Sequence, residues 1–277
     1  MEKLVVAMAQ SMFMMADIEA NLQKVENVCT RAVRAGSGLV VFPEEALTGT
    51  LSGLSADSHP HHLALQIPGP ETERLETVCR QHQVSLVAGT DEVDHDGHFY
   101  NTAVVVTPQG YQGKFRKVHL APGEEAWATP GDETPVFQIA GWTIGVGICY
   151  DLYFPELTRI AAIKQAQAYL IPTGGTGLLP EQVLDPAIKS RFNRTGFMQF
   201  ASARALDNGM YILIAVAKDA GGGSVAVDPF GEPIAYGRGD EDLIPVTLDP
   251  DVLAKARALH FRMYERRPDV YRRAGLV

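Results

Sequence analysis

Three short stretches of this chain end an apolar run on a side chain that could do chemistry. GVGICYDLYFPEL (145–157) places Cys149 at the junction of a buried strand and a following helix. Backbone N–H groups and the positive end of a helix can there lower a thiol pKa and hold a developing oxyanion. FPEEALTG (42–49) closes a strand on Glu44, and GKFRKVHL (113–120) closes another on Lys117. Together they supply a base, a cation for an oxyanion and a nucleophile. Two competing readings stay open, since Cys149 could be a structural strand cysteine, and Glu44 and Lys117 could simply face water.

Histidine is the usual partner of a thiol nucleophile. His119 lies two residues from Lys117 and so on the same side of a strand, where it could pair with Cys149 or serve structure alone. The HPHH run at 59–62 and the DHDGH turn at 94–98 read as solvated loops that no metal need occupy. Cys29 and Cys79 sit on apolar helix stripes, where cysteine behaves as a small hydrophobe. Three cysteines at such separations make neither a disulfide framework nor a zinc site, so free thiols are expected.

These groups need elements to position them. Periodicity switches repeatedly between 2 and 3.6, as in alternating strands and helices. Strands are expected at LVVAMAQ, GLVVFPE, VSLVAGT, WTIGVGIC, AYLIPT, MYILIAVAKD and LIPVTLD, with hairpins in FYNTAVVVTPQGYQGKFRK and GSVAVDPFGEPIAY. Helices are expected in IEANLQKVENVCTRAVRAG, TERLETVCRQHQ, PELTRIAAIKQ, FMQFASARALDNG and LAKARALH. Adjacent strand pairs exceed what simple βαβ winding gives, so the expectation is an α/β or α+β domain with mixed sheets and helices outside. The glycine-rich stretch 173–197 reads as a loop after a strand, either a specificity loop or a surface insertion.

With 277 residues, 46% hydrophobic and 21% charged, the chain can bury a large core. A net charge of −9 argues against a nucleic-acid partner. The N-terminal apolar stretch is interrupted by Gln10 and Ser11 and followed by Asp17 and Glu19, which fits neither a signal peptide nor a membrane span. A cytoplasmic protein is expected.

FPEEALTG, YNTAVVVTPQGYQGKFRKVHL and GVGICYDLYFPEL, in this order and spacing, resemble the three signatures of the nitrilase superfamily of carbon–nitrogen hydrolases. The resemblance runs from the first strand to RRPDVYRR, and implies one carbon–nitrogen hydrolase domain over 1–277 with 260–277 as its tail. It implies a four-layer α-β-β-α sandwich and a homodimer or higher homo-oligomer. It assigns Glu44 as general base, Lys117 as the lysine, Cys149 as nucleophile and Glu124 as a second glutamate, Glu125 being the alternative register. The backbone N–H of Tyr150 would join Lys117 at the oxyanion, and Tyr153, Thr173 and Gly174 would meet a small-molecule amide, with no metal or organic cofactor. Cys149-Tyr150-Asp151 resembles the amidase-like branch, including omega-amidases and deaminated-glutathione amidases, more than the Cys-Trp-Glu of true nitrilases. That branch usually carries an arginine where this chain has Tyr153, which points to a neutral or partly apolar substrate unless Arg191 or Arg194 contacts an acid group. N-carbamoyl hydrolysis, nitrile hydrolysis and a catalytically silent scaffold of the same fold are the alternatives.

Overall fold

The computed structural model describes residues 1–49, 61–174, 186–218, 223–237, 242–260 and 265–275, with the backbone alone at 61, 186–196, 242 and 260. Among the described residues twelve strands form two six-stranded sheets. The first holds β1 (Leu4–Gln10), β2 (Leu39–Val41), β3 (Ser85–Val93), β4 (Phe99–Thr107), β5 (Gly110–Arg116) and β12 (Asp242–Leu248), in the order β12-β1-β2-β3-β4-β5. The second holds β6 (Val136–Ile139), β7 (Trp142–Val146), β8 (Ala168–Thr173), β9 (Tyr211–Val216), β10 (Val225–Val227) and β11 (Pro233–Tyr236), in the order β11-β10-β9-β8-β7-β6. β1-β2-β3 and β7-β8-β9 run parallel, and every other neighbour is antiparallel.

Alternation along the strands sorts their side chains between two cores. Val87, Ala103, Val105 and Phe115 point between the sheets with Ile144, Leu170 and Leu213. Leu86, Ala88, Val104 and Val106 point outward, onto α1 (Ile18–Arg34) and α2 (Pro70–His82). α3 (Pro155–Ile163) and α4 (Pro186–Asn208) cover the second sheet, giving the expected order of helix, sheet, sheet, helix. Cys29 and Cys79 lie buried in the outer core as free thiols, and burial raises both thiol pKa values.

Local chemistry sets the boundaries. Asp17 caps α1 by accepting from the Ala20 N–H, Arg31 and Arg34 occupy its last turn, and Gly36 leaves it at φ +84°. Pro70 and Pro155 open α2 and α3 at their first positions, where the missing N–H costs nothing.

The structure corrects several expected boundaries. β6 was not anticipated: VFQI is too short to show a period, and its pairing with β7 makes it a strand. The stretch 173–197 is not one loop, because Thr173 ends β8 and α4 starts at Pro186 rather than at Phe197. Residues 175–185 lie outside the described residues. α5 (Pro250–His260) follows β12, and a short α6 (Pro268–Arg273) lies within the expected tail. Among the described residues no helix is long and apolar enough to cross a membrane.

Candidate active site

The parallel strands of both sheets end at one end of the sandwich, where open α/β folds place their ligands. Beyond β2 the chain turns at Glu44 and Glu45, the latter at φ 54°. Beyond β7 it reaches Cys149, which opens a 3-10 turn, Cys149–Tyr153, before Pro155 starts α3. Cys149 itself sits at φ 45°, an uncommon conformation for a residue with a Cβ, of the kind that functional turns retain. The sequence placed Cys149 directly at a helix start. The intervening turn exists because Pro155 fixes where α3 begins.

Lys117, just past β5, is only 1% exposed. Its Nζ donates to Glu44 Oε1 and to Glu124 Oε1, each at 2.7 Å. The Cys149 thiol hydrogen-bonds to the Glu44 carboxylate. Asn101 Nδ2 on β4 donates to Glu44 Oε1 at 2.7 Å and lies 3.2 Å from Glu124 Oε1. The other oxygens accept from backbone, Glu44 Oε2 from the Gly174 N–H and Glu124 Oε2 from the Ala121 N–H, each at 2.6 Å. Glu125, the alternative register, is exposed and accepts from the Gly123 N–H, away from Lys117.

Burial alone would push Glu44 up, but the Lys117 charge, its hydrogen bond and the Gly174 and Asn101 donors bring it below the ordinary carboxylate value. Glu124 ends above its ordinary value, since burial and the Glu44 charge outweigh the pull of Lys117. Burial would lower Lys117, yet Glu44, Cys149 and Glu124 hold it well above the usual lysine value. The Cys149 thiol is pushed far up by burial and by the Glu44 charge, against the pull of Lys117. The resting cluster is therefore a neutral thiol beside an ionised Glu44 and a charged lysine. Such a thiol becomes nucleophilic only by handing its proton to an adjacent base, and Glu44 is in contact to take it.

Asp151 and Arg204 hold the cysteine turn, and sequence reasoning did not single out either. Asp151, 1% exposed, accepts from the Ile148 N–H at 3.0 Å and the His119 N–H at 2.9 Å, tying the Cys149 turn to the segment after Lys117. Arg204 on α4 donates to the Leu152 and Tyr153 carbonyls at 3.3 and 3.1 Å. Asn101 was missed as well, and its signal was a buried amide inside the valine-rich YNTAVVV strand.

His119 Nδ1 is 2.9 Å from Asp151 Oδ1 and its ring stacks on Phe154 with centroids 3.6 Å apart, while Glu44, Lys117 and Glu124 act on the thiol. Tyr153 is half-buried, with its ring 5.3 Å from Tyr150 and 4.7 Å from Phe200. Burial and then the nearby Cys149 charge raise its phenol above the ordinary value. Thr173 is buried with its hydroxyl turned back to the Ile171 carbonyl, so its side chain is occupied by its own strand. Gly174 meets the cluster through its N–H on Glu44, and a Cβ there would come within 2.9 Å of that carboxylate. The side chains of Arg191 and Arg194 lie outside the described residues, as does His59.

Asp94, Asp96 and His98 bring ligand-type atoms within 4.8 Å of one another. Asp94 there accepts from the Asp96 and His98 N–H groups and from the Tyr100 hydroxyl, which accounts for the turn without an ion.

The carbon–nitrogen hydrolase family model matches residues 5–258. An (R)-stereoselective amidase from Pseudomonas sp is 34% identical over 261 residues, covering 91% of this chain and 87% of that protein. An omega-amidase from Xenopus tropicalis is 31% identical over 268 residues, covering 91% of both. Among solved structures, Saccharomyces cerevisiae Nit3, a member of branch 10 of the nitrilase superfamily, superposes with a TM-score of 0.81 at 27% identity, over 96% of this chain and 97% of that one.

Proposed function

Given that the chain belongs to the carbon–nitrogen hydrolase family, we propose that it hydrolyses a small-molecule amide through a Cys149 thioester. The observation that carries this reading is the buried contact of thiol, Glu44, Lys117 and Glu124. Glu44 takes the thiol proton as Cys149 Sγ attacks the amide carbonyl carbon. Lys117 and the Tyr150 backbone N–H stabilise the oxyanion, whose charge the buried site leaves unscreened by water. Glu44 then gives its proton to the leaving nitrogen, and ammonia departs as the C–N bond breaks. A water molecule, deprotonated by Glu44 with Glu124 beside it, attacks the thioester. The carboxylic acid leaves and the proton returns to the thiol. No step calls on a metal or an organic cofactor.

The rings beside the cysteine turn support a substrate class. Tyr153, Tyr150 and Phe200 present half-buried aromatic rings where the omega-amidase-like branch usually has an arginine. A neutral or partly apolar amide fits these rings better than a dicarboxylate monoamide, whose second carboxylate would lose hydration against them. Ile163 on α3 and Leu206 on α4 are exposed apolar residues on the outer helical layer, which supports a homo-oligomer paired through these helices. Light scattering tests that state.

Ammonia release from short aliphatic amides, omega-amides, carbamoyl amino acids and nitriles tests the reaction, with Cys149→Ala beside the wild type. Amide turnover that falls about 10⁴-fold or more in the variant, with an acyl-enzyme seen by mass spectrometry in the wild type, is the expected result. Carbon dioxide release would mark a carbamoyl hydrolase instead. Unchanged turnover in Cys149→Ala would overturn the mechanism.

A further inference from the structure

One buried acid beside the cluster has no part in the mechanism above. Asp91 on β3 is fully buried and pairs in register with Asn101 on β4, so the two side chains leave the sheet on the same face. Asn101 uses that face to reach Glu44 and Glu124. Gly89, two residues before Asp91 and therefore also on that face, lies so close to the Glu44 turn that a Cβ would come within 2.6 Å of Glu44 Cα. The Asp91 N–H donates to Thr48 Oγ1 at 3.2 Å, tying this point of β3 to the end of the same turn.

The neighbouring acid shows the contrast. Glu92 points to the opposite face, where Lys114 at 2.6 Å, the Arg116 guanidinium and the Thr102 hydroxyl at 2.7 Å satisfy a carboxylate. They hold Glu92 below its ordinary value in spite of burial. On the Asp91 face the groups that act on it include the Thr48 hydroxyl, the carboxylates of Glu44 and Glu124, and Lys117, whose two close ion pairs go to those carboxylates. A second anion there would stand against two others in a medium that screens poorly.

We propose that Asp91 is a positioning residue of the catalytic cluster, neutral in the working enzyme, which acts through Asn101 and Glu44 and whose loss of a proton switches the thiol to a less reactive state. Burial, with the Glu44 and Glu124 charges, overcomes the Thr48 and Lys117 contributions and pushes the Asp91 carboxyl up to about 8. The released proton goes to solvent. The added negative charge then opposes formation of the Cys149 thiolate and of the oxyanion. This inference rests on Cys149 being the nucleophile.

The test follows alkylation of Cys149 by iodoacetamide, resolved from Cys29 and Cys79 by peptide mass spectrometry, from pH about 6 to about 9.5. Below pH about 7 wild type and Asp91→Asn should react within about twofold of each other, the amide standing in for the neutral acid. Above pH about 8 the wild type should fall about tenfold behind Asp91→Asn, the size expected of one added charge in a partly screened site. Superimposed profiles, or a wild type whose rate climbs without a break to pH about 9, would overturn the proposal, and the wild-type curve decides even if the variant folds poorly. A Cys149 that stays unreactive throughout would remove the nucleophile and the inference with it, an outcome distinct from equal profiles. Thermal melting supplies an independent readout. The folded value of about 8 lies above the ordinary 3.8, so the stability contributed by Asp91 is complete below about 4 and is lost as the pH rises through about 8. Asp91→Asn should therefore gain stability over the wild type across that window, and a difference flat in pH would count against the proposal.

Discussion

The two sheets repeat one layout: an antiparallel edge strand, three parallel strands joined through helices, then two more antiparallel strands. By this correspondence β1 matches β7, and the end of each reaches across to loops of the other sheet. Their junctions differ in chemistry. At the end of β1, Gln10 Oε1 accepts from the Gly223 and Ser224 N–H groups at 2.9 and 3.0 Å, and Gly237, just past β11, packs so close that a Cβ would fall 2.2 Å from that oxygen. Beyond β7, Cys149 meets Glu44 and the lysine that sits just past β5, the strand matching β11. Among the described residues a neutral amide, two glycines and Ser224 close one junction, while two carboxylates, an ammonium and a strained cysteine close the other. Since among the described residues the Gln10 junction closes through neutral groups, packing alone does not call for the charges at Cys149, and the proposed chemistry accounts for them.

The strongest way to break this comparison is to make the charged junction neutral. The triple variant Glu44→Gln, Lys117→Met, Glu124→Gln keeps side-chain size and most hydrogen-bonding atoms. It should abolish amide turnover, by about 10⁴-fold or more, with melting within a few degrees of the wild type or above it, because neutral replacements of buried ion networks are often neutral or stabilising. Lys117→Met alone should cost about 3–5 kcal/mol, since it leaves Glu44 and Glu124 buried without their shared cation. If both variants lose stability equally, the charges serve the fold and the comparison fails. The pH dependence has a sign as well. Glu44 is held below its ordinary carboxylate value, so its contribution is present above pH about 4.5 and is lost as the pH falls through its lower folded value. Glu44→Gln should shrink that acid-side loss.

The converse experiment addresses the neutral junction. Gln10→Leu leaves the Gly223 and Ser224 N–H groups without the oxygen they donate to, and should cost about 2–3 kcal/mol in denaturant melts. Turnover per folded molecule should stay within about threefold. A large fall in kcat with stability kept would mean that the β1 end serves the reaction too.

Sequence made the charged junction legible and left the neutral one hidden. A cysteine, a glutamate and a lysine at the ends of three apolar runs are visible because charge and thiol break hydrophobic patterning. Gln10 ends LVVAMAQ as an ordinary polar residue would, and only the return of β10 and β11 shows what its amide holds. Asn101 and Asp91 were hidden for a related reason: each lies inside a strand, where alternation gives its face but not what stands opposite. Most strands were readable from their period, whereas β6 and the first turns of α4 depended on tertiary partners that a local pattern does not encode.

The smallest expected effect sharpens the comparison at the substrate end. Tyr153 lies inside the cysteine turn, its carbonyl held by Arg204 and its ring against Tyr150 and Phe200, so its backbone is fixed whatever its side chain does. Tyr153→Phe keeps the ring and should change kcat/KM for an apolar amide by less than about threefold. Tyr153→Arg supplies the cation common in the omega-amidase-like branch. It should shift relative kcat/KM toward omega-amides of dicarboxylates by about tenfold, mostly through KM, because a head-group ion pair forms in the ground state and persists in the transition state. The same change expressed in kcat would place the phenol among the reacting groups, and the site would then differ from its branch in mechanism as well as in what it admits.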